Sequence, residues 1–158
     1  MAIRVRGRLT EVRPATEHDV DLLVGWHADP HVARYWDGRT YTPDEMRRRL
    51  ARPGVEAFVI EAAGEPVGYL QAWSEGDEGG LDMFLIPSAR GRGLGPDAAR
   101  ALAEHLVGER GWTRVIVDPY VWNEAAIRAW RRAGFEPVEE RPPDDDHRDA
   151  WLLMEFGR

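Results

Sequence analysis

Residues 81–86 read as a strand that Pro87 stops. Three glycines then fall at alternate positions, Gly91, Gly93 and Gly95, before an apolar stripe at helical spacing, Leu94, Ala98, Leu102 and Leu106. Beyond that helix comes Val115-Ile116-Val117, apolar at every position, as suits a parallel strand buried on both faces. A strand, a glycine-rich bend, a helix and a doubly buried strand, in that order, specify an α/β chain.

The flanking segments extend this pattern. Residues 9–13 alternate and end at Pro14, a first strand. Thr16, with Asp19 three positions on, opens a helix expected to carry Val20, Leu22, Leu23 and Trp26 inward. A short helix follows Pro30, and Thr42-Pro43-Asp44-Glu45 opens a third. Residues 55–61 and 66–73 form a hairpin about Gly64-Glu65, and residues 76–80 read as an acidic, glycine-rich connection. Residues 123–133 form a last helix closed by Gly134, followed by strands at 135–140 and 150–156. The expected architecture is a mixed, mostly antiparallel sheet with helices on both faces.

A length of 158 residues predicts one domain over 1–158. Cysteine is absent, which excludes disulfides, thiolate metal sites and a cysteine nucleophile. The formal charge of −7 disfavours a nucleic-acid or anionic-membrane binder and suits a small cationic partner. No apolar run approaches the ~20 residues of a membrane span. Residues 1–6 hold no apolar core of a secretory signal, so the cytoplasm is the expected location.

The chemistry concentrates in the bend. Alternate glycines permit positive φ and turn successive N–H groups into one concavity, and the helix that follows adds its N-terminal partial charge. Arg90 and Arg92 can add guanidinium charges, which together make an anion site fitted to a pyrophosphate. The spacing is neither the dinucleotide G-x-G-x-x-G nor a Walker loop. A solvated turn is the alternative reading of the same residues.

The segment Arg90-x-x-Gly93-x-Gly95, set between a strand and a helix with an asparagine-capped helix further on, resembles the acetyl-CoA loop of the GNAT-type N-acetyltransferase superfamily. The order of elements is similar to that fold over nearly the whole chain. Further tracts are Gly68-Tyr69-Leu70-Gln71, Gly80-Leu81-Asp82, Val32-Ala33-Arg34-Tyr35-Trp36-Asp37-Gly38 and, most specific, Val117-Asp118-Pro119 through Asn123, Ala126-Ile127-Arg128 and Ala133-Gly134-Phe135. These resemble the bacterial aminoglycoside 6′-N-acetyltransferases. Similar tracts occur in acyltransferases of lysine-type amines.

The resemblance implies a fourth and fifth strand that splay to hold acyl-CoA. Acetyl-CoA would lie along Phe84, Leu85 and Ile86, on Arg90, Gly91, Arg92, Gly93, Leu94, Gly95 and Pro96, and against Asn123, Ala126 and Trp130. The Leu85 N–H would polarise the thioester carbonyl. Trp36, Gln71, Trp73, Asp82, Asp118 and Tyr120 would line the acceptor side, with Asp82 as the base that frees the amine. Two departures stand out. Pro96 removes one N–H, and Trp130 stands where tyrosine is usual and cannot act as an acid. Tyr120 or water would then protonate the leaving thiolate.

His27 and His31 are four apart, but Pro30 intervenes and no third ligand is evident, so no metal is expected. Trp26, Trp112 and Trp151 read as packing residues, and Asp144-Asp145-Asp146 as a solvated turn. The expected activity is direct acetyl transfer to a primary amine of a cationic small molecule, with the aminoglycoside 6′-amine foremost. The chain would act as a monomer or homodimer. A lysine-type acceptor and a non-catalytic acyl-CoA-binding module are the alternatives.

Overall fold

The computed structural model describes residues 3–157. Its strands are β1 (Val5–Arg6), β2 (Glu11–Pro14), β3 (Val55–Ala62), β4 (Glu65–Glu75), β5 (Glu78–Leu85), β6 (Arg114–Val117), β7 (Phe135–Arg141) and β8 (Trp151–Phe156). They form one sheet in the order β1-β2-β3-β4-β5-β6-β8-β7. Every pairing is antiparallel except β5 with β6. The helices are α1 (Val20–Ala28), α2 (Pro30–Ala33), α3 (Pro43–Leu50), α4 (Leu94–Gly108) and α5 (Glu124–Ala133). None is long and apolar enough to cross a membrane, among the described residues.

Strand alternation divides the side chains between two cores. On one face Leu70, Leu81, Val115, Val117 and Met154 pack against Ala98, Leu102 and Leu106 of α4 and Trp130 and Ala133 of α5. On the other, Tyr69 and Phe84 pack against Val20 and Leu23 of α1, Val32 of α2 and Met46 of α3. Helices therefore cover both faces, as expected. Asp82 shares its strand face with Phe84 and so belongs to the face of α1, α2 and α3.

Three local expectations change. The hairpin between β3 and β4 turns on Ala63-Gly64, both at positive φ, one residue earlier than expected. The connection over 76–80 shrinks to Gly76-Asp77, because Glu78, Gly79 and Gly80 already belong to β5 and pair with Glu75, Ser74 and Trp73. Gly79 and Gly80 serve close approach, not turning. A Cβ on Gly79 would stand 1.9 Å from the Trp73 carbonyl oxygen, and one on Gly80 would stand 2.5 Å from the Trp73 indole. Finally, α1 buries Val20 and Leu23 as expected but leaves Leu22 and Trp26 half-buried, and it buries His27.

His27 sits among the rings of Trp36, Tyr41, Tyr69 and Phe84. Its Nδ1–H donates to the Leu23 carbonyl at 2.7 Å, and its Nε2 has no partner among the described residues. Burial pushes its pKa below the ordinary histidine value, and the Arg49 charge acts in the same direction. The unfolded chain takes up this proton near pH 6.5, about the ordinary value, whereas the folded chain resists it. This contribution is full above about pH 6.5 and declines as pH falls toward the depressed folded-state value. Thermal unfolding of the wild type against His27→Phe should show that decline as a stability difference that shifts against the wild type between about pH 8 and about pH 5, the other titrating groups being common to both chains. An unaltered slope in the variant would exclude His27 as its source.

Candidate functional site

The parallel pairing of β5 with β6 covers only Glu78, Gly79 and Gly80, opposite Arg114, Val115 and Ile116. Beyond Gly80 the strands part. β6 ends at Val117 and pairs onward with β8, while β5 runs on to Leu85 bonded to β4 alone. The direction of the exposed groups follows from the ladder. The Ile86 N–H donates to the Val67 carbonyl at 3.0 Å, on the β4 side. N–H directions alternate along a strand, so the Leu85 and Met83 main-chain groups point toward the parted side. The Leu85 carbonyl there accepts from Arg90 Nε at 3.1 Å. The splay expected of the fourth and fifth strands is this divergence of β5 from β6.

The open edge leads to the glycine bend. Gly91 and Gly93 take φ of 80° and 75°. Gly93 begins α4 without a capping side chain, whereas Asp29, Thr42 and Asn123 cap α2, α3 and α5. The first N–H groups of α4 therefore have no intrahelical acceptor and lie where an anion would cap them. Pro96 removes one of these donors, as its missing N–H requires, and one feature of the bend differs from expectation. Arg90 is engaged by two carbonyls, Leu85 at 3.1 Å and His31 at 2.8 Å, and lies over Tyr35. Arg92 is exposed. Arg132 of α5, which sequence reasoning missed, places Nη2 3.6 Å from where a Gly93 Cβ would stand. Only folding brings α5 to this bend.

On the α1–α3 face, Gln71 and Asp82 are register partners, and Gln71 Nε2 donates to Asp82 Oδ2 at 3.1 Å. Gln71 Oε1 accepts from the Tyr69 hydroxyl at 2.9 Å and from Arg52 Nη2 at 3.2 Å. Burial pushes the Tyr69 phenol up to about 12, so it donates as a neutral hydroxyl. Burial likewise pushes the half-buried Asp82 carboxyl up to about 6, and the Asp118 charge adds to this. The Gln71 bond and the Arg49 and Arg52 charges oppose it. Trp36 meets Tyr69 and Phe84 edge-on at 5.9 and 5.2 Å, and Trp73 covers Gly80, so both indoles lie on the Asp82 face.

Asp118 follows the end of β6, and its Oδ2 lies 2.7 Å from His147 Nε2. His147 Nδ1 lies 2.8 Å from Asp144 Oδ1, and the imidazole stacks on Trp151 at 4.2 Å. Asp144 also accepts from the Asp146 and His147 N–H groups and from Trp151 Nε1. The acidic turn is thus an organised loop and not merely a solvated one. No spacing in the sequence brings His147 to Asp118, because the loop's return path is tertiary. Tyr120 bridges to Trp151 and stacks on Trp122 at 5.5 Å.

Besides Arg90, four residues expected along the acyl donor are engaged elsewhere. Phe84 has its ring buried on the α1–α3 face, stacked on Tyr69, and its main chain faces β4, because side chain and main chain both alternate along β5. The Ile86 N–H is spent on Val67. Trp130 is 7% exposed and packs edge-on against Phe135 in the α4–α5 core, since its position on α5 faces the sheet. Ala126 gives its N–H to the Asn123 side chain at 3.2 Å, so the cap reading of Asn123 holds. Leu85 ends β5 on its open edge, and Gly91, Arg92 and Gly93 form the bend that leads to Leu94 and Gly95 at the start of α4.

Residues 15–142 match the acetyltransferase (GNAT) domain family. The chain is 32% identical over 146 residues to an aminoglycoside N(6′)-acetyltransferase type 1 of Klebsiella pneumoniae, covering 79% of this chain and 73% of that one. Among solved structures it is similar to AAC(6′)-Ib in complex with coenzyme A and kanamycin, at a TM-score of 0.82 and 27% identity, with coverage of 94% and 95%. The complex of AAC(6′)-Ib with ribostamycin and coenzyme A gives 0.82 and 27%, with coverage of 95% and 94%. A divergent β5–β6 pair beside an uncapped, glycine-led helix agrees with these likenesses, and the chain belongs to the GNAT acetyltransferase family.

Proposed function

We propose that this chain transfers the acetyl group of acetyl-CoA to a primary amine of a cationic small molecule, the 6′-amine of an aminoglycoside. The observation that carries the reading is the main-chain edge of β5 beyond Gly80, open on the side of β6, with Asp82 on the same strand. The likeness to aminoglycoside N-acetyltransferases supports the acceptor class.

Acetyl-CoA supplies a thioester whose carbonyl carbon an amine can attack. The residues present fit it. The bend and the first N–H groups of α4, with Arg92 and Arg132, take the pyrophosphate. The open main chain of Met83 and Leu85 takes the pantetheine arm as an added strand would be taken. The Leu85 N–H donates to the thioester oxygen as charge develops on it. Asp82 accepts a proton from the incoming ammonium, the amine forms the new C–N bond, and the C–S bond breaks. The nitrogen of the new C–N bond sheds its second proton, and water or Tyr120 relays that proton to the departing sulfur. No acyl-enzyme is needed, and cysteine is absent from the sequence.

The test is release of CoA thiol with kanamycin, with a lysine-type amine and with no acceptor. Kanamycin-dependent release with a 6′-N-acetyl product is expected. Release with the lysine-type amine alone would move the acceptor class. Tight CoA binding without release from any amine would leave an acyl-CoA-binding module. The same assay checks the bend. Arg92→Ala and Arg132→Ala should each raise the KM for acetyl-CoA by roughly three- to tenfold, about 1 kcal/mol for a charge-assisted contact in partial solvent. Neither should change the KM for the acceptor. A double variant with an unaltered acetyl-CoA KM would place the pyrophosphate elsewhere.

A further inference from the structure

Both ring nitrogens of His147 face carboxylate oxygens, Nε2 toward Asp118 at 2.7 Å and Nδ1 toward Asp144 at 2.8 Å. The ring lies 14° from parallel with the Trp151 indole, and the side chain is 14% exposed. Three elements are thereby joined: the end of β6, the loop between β7 and β8, and β8 itself. We propose that His147 is a positioning residue of the acceptor site, which clamps this loop against β6 and fixes the Asp118 carboxylate beside the Asp82 base. The inference rests on the acetyl-transfer reading, which makes Asp82 the base.

Only the doubly protonated imidazolium can donate to both carboxylates. A neutral ring keeps one N–H and turns a bare nitrogen toward the other carboxylate, so the clamp depends on charge. The facing groups are few. Asp118 comes from the end of β6 and Asp144 from the loop. Trp151 comes from β8, with Arg141 of β7 over the same indole at 5.4 Å. The Tyr120 ring meets the imidazole edge-on at 6.1 Å and carries Arg148 over it at 5.8 Å. Burial opposes protonation of His147, but the two carboxylates outweigh it and raise the pKa above the ordinary value. The clamp is therefore complete below about pH 6.5 and is lost as pH rises through the raised value.

Two consequences separate this role from plain packing. The clamp holds Asp118 for the acceptor, so its loss should act on the acceptor and not on the acyl donor. The imidazolium also offsets the Asp118 charge, which is one of the influences raising the Asp82 carboxyl. Without it, the Asp82 pKa should climb further.

The experiment combines steady-state kinetics across pH with an NMR titration of the His147 imidazole in the unliganded chain. Expected in the wild type is a His147 pKa above the ordinary value that falls in Asp118→Asn. His147→Ala should raise the acceptor KM at least tenfold at about pH 6.5, leave the acetyl-CoA KM unchanged and move the acid limb of kcat/KM upward by about half a unit. His147→Gln should recover part of the acceptor KM, because its amide can donate to Asp118. It should not recover the acid limb, because it carries no charge. An unchanged acceptor KM in His147→Ala, or equal changes for both substrates, would overturn the inference. So would an ordinary His147 pKa in an enzyme that turns over. If the wild type acetylates no amine while His147 titrates as stated, the transferase reading has failed and the acceptor role falls with it.

Discussion

Asp82→Asn is expected to lower kcat by about 10²–10⁴-fold, to leave CoA affinity unchanged, and to make the folded chain more stable at neutral pH. The loss in rate follows from removing the group that takes the ammonium proton. The gain in stability follows from the cost of holding the carboxylate where it is. Burial, with the Asp118 charge, lifts its pKa to about 6 from an ordinary 3.8. A carboxyl raised in this way is stabilising below the unfolded value, and that contribution is lost as pH rises through the folded value. Above about pH 6 the folded chain therefore bears a cost that the unfolded chain does not, and a neutral asparagine removes it. At about 1.4 kcal/mol per unit, discounted for a half-buried site, the variant should gain roughly 1–3 kcal/mol at about pH 8. The Gln71 amide can still donate to the asparagine oxygen, so the local bond survives. Wild-type kcat/KM should fall below about pH 6 as the base protonates. Urea unfolding and turnover on one preparation test both halves. Turnover at the wild-type rate would remove Asp82 as the base, and lower stability at about pH 8 would contradict the burial argument.

Gly79→Ala should cost about 3 kcal/mol of folding stability and most of the activity, although it adds a single methyl group whose nearest neighbours are Trp73, Trp112 and Ser74. The new carbon would stand 1.9 Å from the Trp73 carbonyl oxygen and 2.8 Å from the Trp112 ring. The first of these is backbone, so β5 must move away from β4. Gly79 lies in the short stretch where β5 still pairs with β6, just before the strands part. A shift there carries Asp82 and the open edge with it. Gly25→Ala provides the contrast. Gly25 lies within α1 with nothing within 4 Å of its added carbon, so alanine should stabilise by about 1 kcal/mol. Equal denaturation midpoints for the two variants would mean that close approach at Gly79 has been overstated.

Much of the fold was legible because its signals are local. Thr16 and Thr42 accept from backbone N–H groups as capping boxes, Gly134 closes α5 in the left-handed region, and Val115 and Val117 are buried. The sequence alone reads Gly79-Gly80 as part of a connection, because a glycine needed for a loop and one needed for close approach are the same letter. Only the neighbouring strand distinguishes them. Strand β1 was not anticipated, since Val5–Arg6 is too short to show a period.

The candidate site divides along the same line. The amino-acid sequence by itself determined the order of elements, the glycine bend that starts α4, and the alternation that puts Asp82 on the face opposite Leu81 and Met83. These depend on residues within a few positions of one another. Tertiary structure alone decided which edge of β5 is left unpaired, that Arg90 is held by the Leu85 and His31 carbonyls, that Arg132 lies near Gly93, and that His147 lies between Asp118 and Asp144. The physical reason is range. Caps, turns and periodicity arise from bonds between near neighbours, whereas the charges and open hydrogen-bonding groups of the site come from segments that meet only when the sheet assembles.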